Sequence, residues 1–298
     1  MILVTGATGR VGNSVIPLLI SKGYVVRAMT RTPEKAGVLK QLGAQVVQGD
    51  MRDPESLQQA CQGVQQVLDL AHGFTPGQPG NDIHSVDEVG NRSLIDAAKA
   101  AGVQHFVFIS VLGANPKSLM EFIRIKFASE QILKASGMNY TILRAAAFME
   151  FWAATVGEPI LKTGKTTIFG SGKNPINFVC VEDVAKFCLV ALEDPKALNQ
   201  VIDVGGPENL TFNQVAELFE KAAGKPAKKS HVPLPMMRMM RVVMAPINPM
   251  LSLQVTGGIL MDTEDQTCCM EDSTLRQYPV KLTRLESVAK RMVETSKA

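Results

Sequence analysis

Directly after an apolar opening run, Met1-Ile2-Leu3-Val4, the chain reads Thr5-Gly6-Ala7-Thr8-Gly9-Arg10-Val11-Gly12 and continues into an apolar stretch from Val11 to Ile20. Three glycines spaced three apart between a strand and a helix suit one chemistry above others. The first permits a tight turn, the second lets the backbone approach a pyrophosphate, and the third allows close packing of a helix whose unpaired N-terminal N–H groups face the anion. An ordinary glycine turn is the plain alternative, but strand, loop and helix fall in the order a dinucleotide requires. In NAD-selective sites an acidic residue about 20 residues further on binds the adenosine ribose hydroxyls. Here no Asp or Glu precedes Glu34, and the second strand ends Ala28-Met29-Thr30-Arg31. Arg31, with Arg10 closing from inside the glycine loop, presents guanidinium forks suited to a 2′-phosphate; two solvated surface arginines are the alternative. The expected cofactor is NADPH, with Asp50 at the adenine edge and Met51 as an apolar wall after the third strand.

The elements that must hold this turn are legible as alternating short β-rich runs and helix patterns. Strands are expected near residues 1, 24, 45, 66, 105 and 140, and the intervals between the first four leave room for a crossover helix each. The expected fold is α/β, a doubly wound parallel sheet of Rossmann type with a smaller C-terminal substrate lobe. Thr32-Pro33 and Asp53-Pro54 signal helix starts, and glycines at 23, 43, 63, 102 and 137 fall where helices should stop. Residues 1–150 read as the nucleotide core. Residues 151–298 read as the remaining sheet elements, including strands at 178–181 and 201–204, plus a capping lobe, the whole being one continuous unit.

The apolar fraction of 46% over 298 residues can fill a sizeable core, and a net charge of +3 is too small for a general nucleic-acid footprint. Five cysteines, Cys61, Cys180, Cys188, Cys268 and Cys269, match no zinc spacing, so no metal is expected; they read as reduced thiols of a cytoplasmic protein. The opening strand leaves no room for a signal peptide, and no window is long and apolar enough for a spanning helix.

The sequence resembles the atypical short-chain dehydrogenases, and within them the NmrA-like group of quinone and dye reductases, redox-sensing regulators and relatives of a complex I accessory subunit. The likeness rests on TGATGRVG, on GDMRDPESL from Gly49, on HFVFIS from His105, on YTILRAAAFME from Tyr140 and on VGGPENLTFNQVAEL from Val204. It implies that the loops carrying Leu70-Ala71-His72, Ser110-Val111-Leu112 and Ala145 to Phe148 line the nicotinamide end. Relatives often carry proline where this chain has Ala145. Catalytic members use a serine and, four residues apart, a tyrosine acid and a lysine that binds ribose. This chain keeps Ser110 and Lys126, but the residue four before Lys126 is Phe122, and none of its three tyrosines can supply the motif. The resemblance makes Lys126, Ser110 and His72 the catalytic candidates, His72 as a proton donor because imidazole titrates near neutrality. A surface lysine, a strand-end serine bonding backbone and an idle loop histidine are the respective alternatives.

Without a placed acid, reduction is easiest for acceptors whose product anion is already stabilised, such as quinones, enones and dyes. Seven of the fifteen methionines lie between Met236 and Met261, around PMMRMMRVVMAP. That segment reads as a lid over an apolar pocket, as packing against the core or a partner subunit, or as an interfacial helix with Arg238 and Arg241 at lipid headgroups. Phe148, Phe151 and Trp152 are candidates for the opposite wall. The expectation is an NADPH-dependent reductase of a small apolar acceptor. A non-catalytic NADP(H) sensor or assembly protein acting through a protein partner, or peripheral attachment to a membrane complex, stands as the alternative.

Overall fold

The structure is a computed structural model that describes residues 1–74, 81–270 and 274–297. Its chain divides into two compact units. The first comprises Met1–Ser118, Phe122–Arg144 and Val184–Ile202; the second comprises Leu119–Glu121, Ala145–Asp183 and Asp203–Ala298.

The first unit is built on a seven-stranded sheet. Its strands β1 (Ile2–Val4), β2 (Val26–Thr30), β3 (Gln45–Gln48), β4 (Gln66–Asp69), β5 (His105–Val111) and β6 (Asn139–Ala145) fall where the β-rich runs predict them. The seventh, Gln200–Val204, lies at the edge, giving the order Gln200–Val204, β6, β5, β4, β1, β2, β3. β1 pairs in parallel with both β2 and β4, Ile2 lying opposite Val26 on one side and Gln66 on the other. The β2–β3 and β4–β5 pairs are also parallel. All three β1 side chains are buried, which is why the opening run is uniformly apolar rather than alternating. Because β2 and β4 flank β1, the strand order reverses at its carboxyl end, the place where open α/β sheets bind ligands.

The helix signals hold. Asp53 accepts from the N–H of Glu55 at the start of helix Pro54–Cys61, with proline in its first turn. Thr32-Pro33 opens a short 3-10 turn, Pro33–Ala36, that runs into helix Gly37–Gln41. The glycines predicted as stops adopt left-handed φ, 84° at Gly23 and 74° at Gly102 for example. Phe106, Phe108, Leu94 and Leu57 fill the core between the sheet and helices Pro54–Cys61 and Asn91–Ala100.

One expectation needs correction. The strand read at 178–181 forms at Ile176–Val179 but does not join the main sheet. It pairs in parallel with Ala147–Phe148 and antiparallel with Asn209–Leu210, a three-stranded sheet of the second unit. All four of its residues are buried, and the apolar run Phe178-Val179-Cys180-Val181 read from the sequence does not say which sheet it enters. The strand read at 201–204 does join the main sheet.

The second unit packs helices Ala154–Thr163, Phe212–Ala223 and Leu285–Lys297 around Ile160, Phe178, Phe219 and Leu285. Gly157 is needed there, since a Cβ would sit 2.3 Å from the Phe219 ring. A capping box, Thr211 with Gln214, starts the second of these helices. Helices Leu234–Met244 and Pro249–Thr263 follow, the first entered from strand Lys228–Val232, which pairs in parallel with Lys165–Phe169. No helix among the described residues is long and apolar enough to cross a membrane.

Candidate functional site

The glycine turn sits at the carboxyl end of β1 and is backed by β4. Gly6 has φ +58°, and a Cβ there would lie 2.7 Å from the Leu70 carbonyl oxygen; one on Gly12 would lie 2.4 Å from that of Ala7. Each glycine is therefore a requirement of close packing, Gly6 against the loop after β4 and Gly12 against the turn itself. Gly9 begins helix Arg10–Ser21 with no side-chain cap and no acid in its first turn. With no acid in that first turn, the dipole of the helix favours negative charge at its start. Ala7 is buried and Val11 half-buried, while Thr8, Gly9 and Arg10 face solvent. A dinucleotide pyrophosphate fits at the solvent-facing start of this helix, where Gly9 carries no side chain and no acid lies in the first turn.

Arg31, the residue after β2, is exposed. Asp50 is engaged by Arg52, which donates from Nε at 2.9 Å and from Nη2 at 2.5 Å. Those bonds hold the Asp50 carboxyl below its ordinary pKa, and the charge of nearby Arg31 adds to the effect. Met51 is buried in the core, close to Gly90, rather than presented as a free wall.

Below the loop after β4 lies a buried polar cluster that sequence reasoning reached only at one residue. Lys126, on helix Glu121–Ala135, is 4% exposed, and its Nζ is 3.0 Å from Asp87 Oδ1. The ammonium also lies 4.8 Å from the centroid of Phe108 and 5.5 Å from that of Phe122, which in turn stacks on Phe74. Phe122 thus occupies the tyrosine position as a hydrocarbon cover over the lysine. Asp87 also accepts from the Gly73 N–H at 2.7 Å. Asp69, at the end of β4, accepts from Thr5 Oγ1 at 2.5 Å and from the Ala71 N–H at 3.2 Å, while its Oδ2 has no hydrogen-bond partner among the described residues. Burial pushes the Asp69 carboxyl up, with Lys126, Thr5 and Ala71 pulling it back. These bonds tie the loop after β4, including buried Leu70 and Ala71, to the end of β1.

Ser110 is buried and its hydroxyl is spoken for: Oγ donates to Glu130 Oε1 at 2.6 Å, and Arg144 grips the same carboxylate from Nε and Nη2 at 2.9 and 2.7 Å. In this structure Ser110 braces β5 against helix Glu121–Ala135. His72 is solvent-exposed, yet the surrounding protein desolvates the imidazole and lowers its pKa, with Asp87 opposing the shift and Lys126 adding to it. Ala145 and Phe148 belong to the second unit, Ala145 buried and Phe148 half-buried in a strand paired with Ile176–Val179. Trp152 of that unit stands edge-on to Phe151 and packs on Gly257, where a Cβ would meet the indole at 2.8 Å. Asp87, Asp69, Glu130 and Arg144 went unread in the sequence. A signal existed for Asp69, a lone carboxylate in the apolar run Val67-Leu68-Asp69-Leu70.

A parallel sheet whose reversal point carries a close-packed glycine turn and a helix without a side-chain cap defines a Rossmann-type nucleotide-binding protein of the atypical short-chain dehydrogenase kind. The chain belongs to the NmrA-like family, whose model matches residues 1–286. It is 33% identical over 240 residues to the photosystem II assembly factor Ycf39 of Cyanophora paradoxa, covering 80% of this chain and 74% of that protein. It is 34% identical over 230 residues to the NAD(P)H azoreductase of Xenophilus azovorans, covering 76% of each. Among solved structures it resembles the NADPH complex of the quinone oxidoreductase QOR2 of Escherichia coli, with TM-score 0.77, 25% identity, and coverage of 98% of this chain and 99% of that one.

Proposed function

We propose that this protein is an NADPH-dependent reductase that delivers hydride to a small apolar acceptor of quinone-like or conjugated type. The observation that carries the reading is the glycine turn after β1, packed so closely that Gly6 and Gly12 admit no Cβ and leading into a helix with no acid in its first turn, with Arg10 exposed at the start of that helix and Arg31 exposed after the second strand. The likeness to an NAD(P)H azoreductase and an NADPH-dependent quinone oxidoreductase supports it. When bound, NADPH supplies the hydride. The N–H groups of the turn hold its pyrophosphate, and Arg10 and Arg31 take the 2′-phosphate. Lys126, fixed by Asp87, is assigned to the nicotinamide ribose, with Leu70 and Ala71 as apolar surroundings. Ser110 is a positioning residue acting through Glu130.

The acceptor class follows from what the chain lacks. A simple ketone receiving hydride becomes an alkoxide that needs a local acid, and Phe122 supplies none. His72, its pKa held down, is neutral near pH 7 and is suited to accept a proton rather than donate one. A quinone spreads the charge over a phenolate that water can protonate. The thiols, all free among the described residues, suit a reducing, cytoplasmic setting.

A second reading is favoured by one observation: the Lys126 ammonium is already paired and covered, as in a protein that binds nucleotide without turning it over. On that reading the chain is an NADP(H)-responsive assembly protein, as its similarity to Ycf39 suggests. The test is to follow NADPH oxidation by the purified protein with quinones, dyes, enones and ketones. Saturable oxidation confined to the conjugated acceptors supports the reductase. Tight NADPH binding with no oxidation by any of them assigns the second reading, and fast ketone reduction refutes the acceptor argument.

A further inference from the structure

The helix Leu234–Met244 presents its apolar residues outward. Met237 is fully buried against Val255 and Ile259 of the following helix, but Met236, Met239, Val242 and Val243 are 48%, 60%, 65% and 48% exposed, and Ile247 just beyond is 70% exposed. At about 100° per residue the four exposed residues within the helix cover an arc of roughly 120° on the side away from Met237. Exposed Arg238 lies about 40° beyond one edge of that arc and half-buried Arg241 about 100° beyond it, toward Met237, and neither forms an ion pair among the described residues. The charge around it is one-sided: from Lys221 to Met261 the chain carries six Lys and Arg and no Asp or Glu, although its overall net charge is only +3.

We propose that this helix docks the protein on an anionic phospholipid surface, lying in the headgroup plane with Met236, Met239, Val242, Val243 and Ile247 in the acyl boundary and the two arginines at the phosphates. An apolar face with unpaired cations to one side is the pattern of an interfacial helix. The helix rises about 16 Å, too short to span a bilayer and long enough to lie on one. Prolines at 233 and 246 bound it, so the face is a fixed patch rather than part of a longer amphipathic run. A second copy of the chain fits less well, since face-to-face contact would bring two uncompensated cationic segments together.

The experiment is co-sedimentation of the full chain with vesicles of phosphatidylcholine alone and of phosphatidylcholine with about one-third phosphatidylglycerol, at low and high salt. The expected result is partitioning onto the anionic vesicles at least about tenfold above the neutral ones, weakened by salt. Met239→Glu/Val242→Glu is expected to lower it about tenfold or more. Arg238→Gln/Arg241→Gln is expected to lower it about fivefold per arginine on anionic vesicles only. Circular dichroism and thermal melting of each variant check that it is folded. No binding by the unaltered protein, equal binding to both vesicles, or unchanged binding by the folded variants overturns the proposal. So does a dimer that Met239→Glu/Val242→Glu dissociates in the absence of vesicle binding, which would assign the face to a second copy.

Discussion

Replacing Asp87 by asparagine tests the buried cluster with almost no change of shape. The Asp87 carboxylate serves two donors, the Lys126 ammonium at 3.0 Å and the Gly73 N–H at 2.7 Å. An asparagine side chain has one acceptor oxygen and one donor NH2, so one of those two donors must face another donor. If Lys126 is stranded, a cation with 4% of its side chain exposed loses its closest countercharge, and the remaining carboxyl in reach, Asp69, is one that burial already pushes toward its protonated form. Removing one partner of a buried pair costs about 3–5 kcal/mol. At about 2–4 °C of Tm per kcal/mol for a unit of this size, the Asp87→Asn protein should melt on the order of 10 °C lower. Urea melts followed by circular dichroism give the free energy directly. Adding Lys126→Met should recover at least half the loss, since the introduced amide oxygen can then accept from the Gly73 N–H with no cation left behind. A single-variant loss below about 1 kcal/mol, or no recovery in the double variant, would refute the pairing as the structure draws it.

Arg31→Asp should raise the Kd for NADPH between about tenfold and a hundredfold, the worth of one charge-assisted bond to phosphate, and leave NADH within a few-fold; equal losses in calorimetry would remove Arg31 from the 2′-phosphate. Gly12→Ala places a methyl 2.4 Å from the Ala7 carbonyl oxygen, so NADPH affinity should fall at least tenfold by the same assay, and an unchanged Kd would contradict the role of the close-packed turn. His105 is a buried neutral imidazole: Nε2–H donates to Thr141 Oγ1 at 2.9 Å, because that hydroxyl itself donates to the Ala197 carbonyl. Burial lowers its pKa from 6.5 to about 4. The unfolded chain therefore takes up a proton first, and stability present above pH 6.5 is lost as pH falls toward 4, by up to about 3 kcal/mol. Urea melts across that range should show the slope in the native protein and its absence in His105→Gln.

The nucleotide half is legible because its signals are local. The opening strand, the glycine turn and the absence of an acid before Glu34 lie within 34 residues, and the structure sets them in the expected order. The same is true of Asp53-Pro54 and of the glycine stops, each of which acts on its own turn of chain. What could not be read involves partners far apart in sequence. Lys126 meets Asp87 and Ser110 meets Glu130 only because the sheet order brings helix Glu121–Ala135 beside those segments. Ile176–Val179 failed for a related reason: strand pairing is decided by which edge is open, and the apolar run Phe178 to Val181 fits any of them. The Met-rich segment was ambiguous because composition gives apolarity all round, and only the packing of Met237 tells which side is turned inward.

Phe122 bears on the reaction in two ways that reinforce each other. A tyrosine at that position would put an acid beside the lysine, whose charge would lower the phenol pKa and make it a donor. A phenyl ring there removes the acid and also helps exclude water from the ammonium, with Phe108 on another side and Phe74 stacked behind. An ammonium so enclosed needs a permanent countercharge, and Asp87 provides it. That pair fixes the position of the Lys126 ammonium against Asp87, 3.0 Å from its Oδ1. The Lys126–Asp87 pair then contributes a fixed geometry, and Phe122 brings no acid to it. Any reduction it supports must leave the negative charge of the product to delocalisation and solvent, which is a property of the acceptor rather than of the site.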